Sequence, residues 1–167
     1  LKYLFNFFVG GFFNFLRNRV IKISDFCITE SQYFSSKLKL GKNHKTIFLK
    51  KHQNCTPVSN CFSEFLSIAY LGNIGKIYDF DSLIEIFKKV KKNRKIKLHI
   101  IGDGQKKEYL MNKLDLLNID YVYHGLIFDE ERKRKILENC WFGYNGYKSS
   151  SEVALSYKSV DYLSYGL

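Results

Sequence analysis

A chain of 167 residues, 46% apolar and 17% aromatic, is long enough for one domain with a real core, or for one domain and part of another, and its composition excludes a disordered segment. The net charge of +11 points to acidic partners such as nucleic acid, anionic lipid or a phosphate-bearing substrate. Cys27, Cys55, Cys61 and Cys140 form no C-x-x-C pair, so reduced cytosolic thiols are expected; His52, Cys55 and Cys61 lack a matching second pair, and no metal is expected.

The apolar run from Leu4 to Leu16, followed by Arg17 and Arg19, is shorter than the ~20 residues that span a bilayer. It reads as a buried helix of a larger body or as an interfacial helix with basic residues at its edge. Phe26 to Thr29 is strand-like, Gln32 to Leu40 a short helix closed by Gly41, and Lys45 to Leu49 a short strand. The polar segment from Lys50 to Ser63 holds the only proline, Pro57, and is the linker candidate. Residues 1–55 are therefore expected to end one domain and 56–167 to form another.

Past the linker, strands and helices alternate. Leu66 to Leu71, Ile96 to Ile101, Tyr121 to Tyr123 and Trp141 to Tyr144 read as strands; Phe80 to Val90, Lys106 to Leu117 and Glu130 to Leu137 read as helices. A closing helix runs from an N-cap at Ser156 to Gly166. Such alternation predicts an α/β fold, a Rossmann-like parallel sheet with helices on both faces, preceded by a fragment of a second α/β domain. The chain opens without Met and stops just past a helix end, which predicts truncation at both ends.

In a sheet of this kind ligands bind at the carboxyl ends of the strands. The first strand ends in L-G-N-I-G-K, where Gly72 and Gly75 allow close backbone approach beside Lys76; it matches neither the Walker pattern nor the full dinucleotide fingerprint. Gly102 and Gly104 form a turn read as architectural, and Gly125 ends the third strand. Free amides and the dipole of the closing helix, with Lys158 in its first turn, suit an anion. His44, His99 and His124 stand isolated in the sequence and read as structural, and the basic block from Lys88 to Lys97 reads as a solvated face that complements a helix C-terminus.

Taken in order, L-G-N-I-G-K-I-Y-D-F-D-S-L, I-I-G-D-G, Y-H-G-L-I and D-Y-L-S-Y-G-L, with Asp161 five positions before Gly166, resemble the donor-binding domain of retaining glycosyltransferases of family 4, of the two-domain GT-B type. S-D-F-C-I-T-E-S resembles the last strand of their acceptor domain. The resemblance implies a hexosyltransferase of surface-polysaccharide or glycolipid assembly, using a nucleotide-sugar donor and a saccharide or lipid-linked saccharide acceptor. It also implies a cytoplasmic enzyme with peripheral contact at the inner face of the membrane, no nucleic-acid partner, no cofactor and no metal. The diphosphate is then expected at the loop of Gly72, Asn73, Gly75 and Lys76 and at the helix start with Ser156 and Lys158. The ribose is expected on Asp161 and the base near Gly125 and Leu126. The family's usual loop Arg is Asn73 here, its loop Lys is Tyr78, and the first of its paired glutamates is Val153, with Glu152 one residue off. Diphosphate charge must then be met by Lys76 or Lys158, and the acceptor contacts by another domain, so this chain alone is expected to lack turnover. Two other readings are a non-catalytic α/β binding or interaction domain and a basic nucleic-acid binder. The first predicts Lys158 and Asp161 turned away from the Gly72 to Lys76 loop; the second predicts lysines and aromatics on one exposed face.

Overall fold

A computed structural model describes residues 2–47, 64–151, 153 and 156–167. The chain divides into two compact units, Leu1–Leu49 and Lys50–Leu167. The linker assigned to residues 50–63, with Pro57, His52, Cys55 and Cys61, lies outside the described residues, as does the expected boundary between 55 and 56.

In the first unit, helix α1 (Lys2–Ile23) carries Phe8, Phe12, Phe13 and Phe15 exposed. Among the described residues no helix is long and apolar enough to cross a membrane. Strand β1 (Cys27–Thr29), helix α2 (Gln32–Lys37) and strand β2 (His44–Thr46) make a small parallel β-α-β unit. Its buried seam is polar: Thr29 Oγ1 lies 2.6 Å from Ser35 Oγ, which lies 3.0 Å from Thr46 Oγ1. The helix stops earlier than its sequence suggests, because Lys39 takes the left-handed turn (φ 49°) assigned above to Gly41.

The second unit is the expected alternation: β3 (Phe65–Leu71), α3 (Phe80–Val90), β4 (Lys95–Ile101), α4 (Lys107–Leu116), β5 (Asp120–Gly125), α5 (Glu130–Leu137), β6 (Phe142–Gly143) and α6 (Tyr157–Ser164). Its four strands are all parallel, in the order β5-β4-β3-β6. Strand β5 is longer than the three residues read from the sequence and β6 shorter.

Period two along the strands divides the core. Ile68, Tyr70, Ile96, Leu98 and Ile100 face α3 and α4, whose Leu83, Phe87, Leu110 and Leu114 complete one cluster. Ala69, Leu71 and Ile101 face the other way, toward Leu137, Cys140, Tyr162 and Tyr165 of α5, α6 and the turn before β6. Helices therefore cover both faces, and each fully buried Leu or Phe contributes about 1.5–3 kcal/mol. Helix α3 forms because Asp79 caps the Ser82 amide at 3.1 Å and Phe80, Leu83, Ile84 and Phe87 recur at one-turn spacing. Asp129 caps α5 in the same way through the Arg132 amide. The basic block behaves as read: Lys88 and Lys89 close α3, Lys91 Nζ donates to the Leu117 carbonyl at the end of α4, and Lys95 pairs with Glu64.

Candidate functional site

Strand β3 comes first in its sheet, β4 and β5 add to one side of it, and β6 adds to the other. The direction of growth reverses between β3 and β6, and in open parallel sheets the crevice at that reversal, outside the carboxyl ends, is where ligands bind. Two segments frame it: the loop of residues 72–79 after β3, and the segment after β6 that leads into α6.

The 72–79 loop is fixed from both sides. Toward β4, the Gly72 amide donates to Ile101 O at 2.7 Å, the Ile74 amide to Asp103 O at 2.8 Å and the Lys106 amide to Ile74 O at 2.8 Å. A Cβ at Gly102 (φ 140°) would overlap the Gly72 carbonyl, and one at Gly104 (φ 157°) would overlap Asn73 Oδ1 and Ile74 O. Gly102 and Gly104 are thus architectural, as read, because they let the second loop lie flat against the first. Toward α6, Tyr78 bridges Tyr147, the Asp79 amide donates to Gly146 O at 3.2 Å and the Lys148 amide to Ile77 O at 3.0 Å.

Tyr162 of α6 holds the crevice open. Continuing the parallel register of Ala69 with Gly143 would send the Leu71 amide to the Tyr144 carbonyl. Instead the Tyr162 hydroxyl accepts from that amide at 2.8 Å and lies 3.1 Å from Tyr144 O. The ring fits only because residue 143 is glycine: a Cβ there would meet Tyr162 Cδ2 at 2.6 Å.

Lys158 lies under the first glycine of the loop. A Cβ at Gly72 (φ 112°) would stand 3.1 Å from Lys158 Cε. The lysine is 6% exposed; its Nζ donates to the Tyr70 hydroxyl at 2.6 Å and sits 3.8 Å from the centroid of the Tyr70 ring and 3.5 Å from that of Tyr78. Burial alone pulls its pKa from 10.5 down to about 7, with no carboxylate among the described residues to offset it. An ammonium has three N–H groups, and one is taken by Tyr70. Tyr78, which stands where the resembled family has a loop lysine, supplies the face that carries this cation. Burial and neighbouring phenols raise the Tyr70 hydroxyl well above its ordinary value, so it is a neutral donor at neutral pH, and it donates to the Asn73 carbonyl.

The start of α6 is less open than its sequence suggests. Ser156 is the N-cap; its Oγ accepts from the Lys158 amide at 3.2 Å and donates to Asn145 Oδ1 at 3.1 Å, and it lies 2.8 Å from the Tyr147 hydroxyl. The Ser159 amide turns back to Ser156 O at 3.0 Å. Two first-turn amides are thereby used inside the protein, so attraction for an anion falls to the dipole and to Lys158 more than to free N–H groups.

The remaining residues assigned from sequence take these places. Gly75 is buried, Asn73 and Lys76 are exposed on the loop, and Asp161 is half-buried one turn beyond Lys158. Gly125 (φ 66°) ends β5 with open space around its Cα, and its carbonyl accepts from the Gly102 amide at 2.7 Å; Leu126 is exposed beyond it. The structure brings Gly72, Asn73, Ser156 and Lys158 together through Tyr70, Tyr147 and Asn145. Sequence reasoning misses Tyr70, Tyr78, Tyr147 and Tyr162 as site residues. Tyr70 and Tyr162 lie in apolar patterns and Tyr78 and Tyr147 in polar loops, and the only sequence signal is the aromatic content itself.

His99 and His124, isolated in the sequence, are stacked neighbours on β4 and β5, with ring nitrogens 3.1 Å apart. Burial, the partner ring and Lys97 hold His99 down at about 4, and burial with Arg132 lowers His124. Burial pushes the Cys140 thiol up to about 12, which makes it inert. Among the described residues no three His, Cys, Asp or Glu side chains group as metal ligands.

Neither a protein-family model nor a curated protein sequence matches this chain. Solved structures do resemble it. TarM of S. aureus, as a single-residue mutant in complex with fondaparinux, alpha-GlcNAc-glycerol and UDP, matches with TM-score 0.55 and 18% identity over 75% of this chain and 26% of that one. A second TarM structure gives TM-score 0.56 and 18% identity over 77% and 26%. The catalytic domain of cholesterol-alpha-glucosyltransferase from Helicobacter pylori gives TM-score 0.44 and 20% identity over 55% of each chain. This chain thus spans about a quarter of the TarM chains it matches. Its parallel sheet flanked by helices is the fold of GT-B glycosyltransferases.

Proposed function

We propose that the protein is a glycosyltransferase and that the crevice between β3 and β6 binds the diphosphate of its nucleotide-sugar donor. The observation that carries this reading is Lys158: a buried lysine whose Nζ makes one hydrogen bond among the described residues, seated under Gly72 at the sheet's reversal point and beside the start of α6. One hydroxyl and two ring faces offset part of the cost of burying this cation, and a bound anion would offset the rest.

In this reading Lys158 and the α6 dipole stabilise the negative charge that grows on the diphosphate as the bond to the sugar breaks, so a metal ion is not required. Asn73 and Lys76, exposed on the loop, meet the outer phosphate. Asp161 accepts from the ribose hydroxyls, and the open backbone at Gly125 and Leu126 receives the base. The UDP bound to one TarM structure supports a nucleoside diphosphate as the leaving group. The finer proposal is a retaining hexosyltransferase of family 4 acting on a saccharide or lipid-linked saccharide in surface-polysaccharide or glycolipid assembly. It works in the cytoplasm at the inner face of the membrane, where the exposed phenylalanines of α1 with Arg17 and Arg19 suit an interface.

Calorimetric titration with UDP, GDP and ADP tests the reading. Asp161→Asn keeps the shape and removes a charge-assisted acceptor, and the dissociation constant should rise at least about tenfold with little change in melting temperature. Unchanged affinity, or a large loss of stability, would show Asp161 to be structural and the donor site to lie elsewhere.

A further inference from the structure

We infer that Tyr70 is a positioning residue of this site, joining the buried cation to the glycine loop so that both are presented to the diphosphate as one unit. The inference rests on the donor-site reading above and adds to it a residue that touches no ligand.

The geometry is a relay with one phenol at its centre. The Tyr70 hydroxyl has one hydrogen to give and gives it to the Asn73 carbonyl, which fixes the turn after Gly72. With that hydrogen committed, its oxygen can only accept, and it accepts from Lys158 Nζ at 2.6 Å. The direction of one bond therefore sets the other. An oxygen lone pair facing the amine favours the ammonium over the neutral amine, while burial favours the neutral form. Tyr70 lies on β3, a central strand, and is itself fully buried, so the relay is anchored in the core of the unit.

The groups that touch the Lys158 ammonium are the Tyr70 hydroxyl and the rings of Tyr70 and Tyr78. Behind them, Tyr144, Tyr147 and Tyr162 couple to Tyr70, and the carboxylates of Asp79 and Asp161 act on Tyr144 and Tyr162. Burial raises Tyr70, Tyr78, Tyr144 and Tyr162 alike, so these four stay neutral across the physiological range. The charge that an incoming diphosphate meets from within this cage is that of Lys158 alone, and Tyr70 is the one phenol bonded to it.

The test is Tyr70→Phe, which keeps the ring and both aromatic contacts and deletes the relay. The dissociation constants of UDP and of inorganic pyrophosphate are measured by calorimetry from pH 6 to pH 9, with Tyr121→Phe on β5, away from Lys158, as the control. In the wild type, affinity should fall as pH rises, because the anion is bound together with a protonated Lys158. In Tyr70→Phe the ammonium loses its acceptor, so affinity at pH 8 should drop by about tenfold or more and the inflection should move to lower pH. Tyr121→Phe should keep the wild-type inflection. Wild-type binding with an identical pH profile in Tyr70→Phe would overturn the role of Tyr70 and leave the donor site standing, as would an equal shift in Tyr121→Phe. Absence of binding of either probe to the wild type would overturn both. Should Tyr70→Phe fail to fold, NMR titration of Lys158 Cε in the wild type decides: an ordinary surface-lysine titration would sink the relay.

Discussion

The Tyr162 hydroxyl sits between Leu71 and Tyr144 in the place of a strand-to-strand hydrogen bond, accepting from the Leu71 amide at 2.8 Å. A side chain from the closing helix thus substitutes for the ladder at the point where β3 and β6 separate. Splaying two parallel strands ordinarily strands a buried N–H, at about 1–3 kcal/mol. Here the helix that covers the gap also satisfies the group that the gap exposes.

Tyr162→Phe should destabilise the chain by about 1–3 kcal/mol, since the ring still fills its space but the Leu71 amide is left without its acceptor. Chemical denaturation would register a lower midpoint at unchanged slope. Stability equal to wild type would mean that β6 closes onto β3 when the hydroxyl is removed.

Lys158→Met should do the opposite, raising stability while weakening anion binding. A lysine whose folded pKa is about 7 against 10.5 costs the fold most when it is charged in both states, below pH 7. As pH rises from 7 toward 10.5 the unfolded chain binds the extra proton, so wild-type stability increases by at most about 1.4 kcal/mol per pH unit. Melting curves from pH 6 to pH 9 should show this rise in the wild type and not in Lys158→Met, with the variant more stable at pH 6. A variant that melts lower at pH 6 would contradict the assignment of Lys158 as a buried charge whose desolvation outweighs its contacts with Tyr70 and Tyr78.

The His99 and His124 pair gives an acid limb. Both folded values lie below that of an unfolded histidine, so the unfolded chain takes up protons first and stability falls as pH drops from about 6.5 toward 4. His99→Gln should make that fall shallower without altering stability at pH 7.5 by more than about 1 kcal/mol. Parallel curves for the two proteins would remove the pair from the account.

Two glycines with positive φ should separate cleanly on mutation to alanine. At Gly102 the new Cβ overlaps the Gly72 carbonyl, and backbone must move, so loss of folding or of several kcal/mol is expected. At Gly125 the surrounding space is open and only the left-handed backbone resists, at about 1 kcal/mol. Thermal melts of the two variants would reveal the difference directly.

The parts of this architecture that were legible in the sequence are those set by local rules. Ser156 is a cap by residue type, Gly72, Gly102 and Gly125 mark strand ends by their backbone freedom, and the apolar spacing of α3 declares its buried face. What stayed hidden depends on residues far apart in the chain. Nothing near Lys158 marks it as buried, since its cage comes from Tyr70 and Tyr78. Tyr162 reads as one more apolar position of an amphipathic helix until β3 is placed beside it. Likewise His99 and His124 become a pair only through the register of β4 with β5. At Lys39 a left-handed lysine did what glycine two residues later was expected to do, because the turn followed the end of α2 and not the residue preference.

The closeness of Gly72 to Lys158 also bears on how relatives of this chain would diverge. With 3.1 Å between a Cβ at position 72 and the lysine Cε, the lysine would have to shift by a few tenths of an ångström, and the φ of 112° disfavours a side chain at 72 whatever stands at 158. Loss of the lysine would leave the Tyr70 hydroxyl with an idle oxygen and the Tyr78 ring without its cation. Positions 70, 78 and 158 should therefore change in concert across an alignment, while 72 stays glycine for the sake of its backbone. A search pattern built on a basic residue in the first loop would pass over such sequences, whereas one pairing a tyrosine before that loop with a lysine three places ahead of the closing helix's aspartate would gather them.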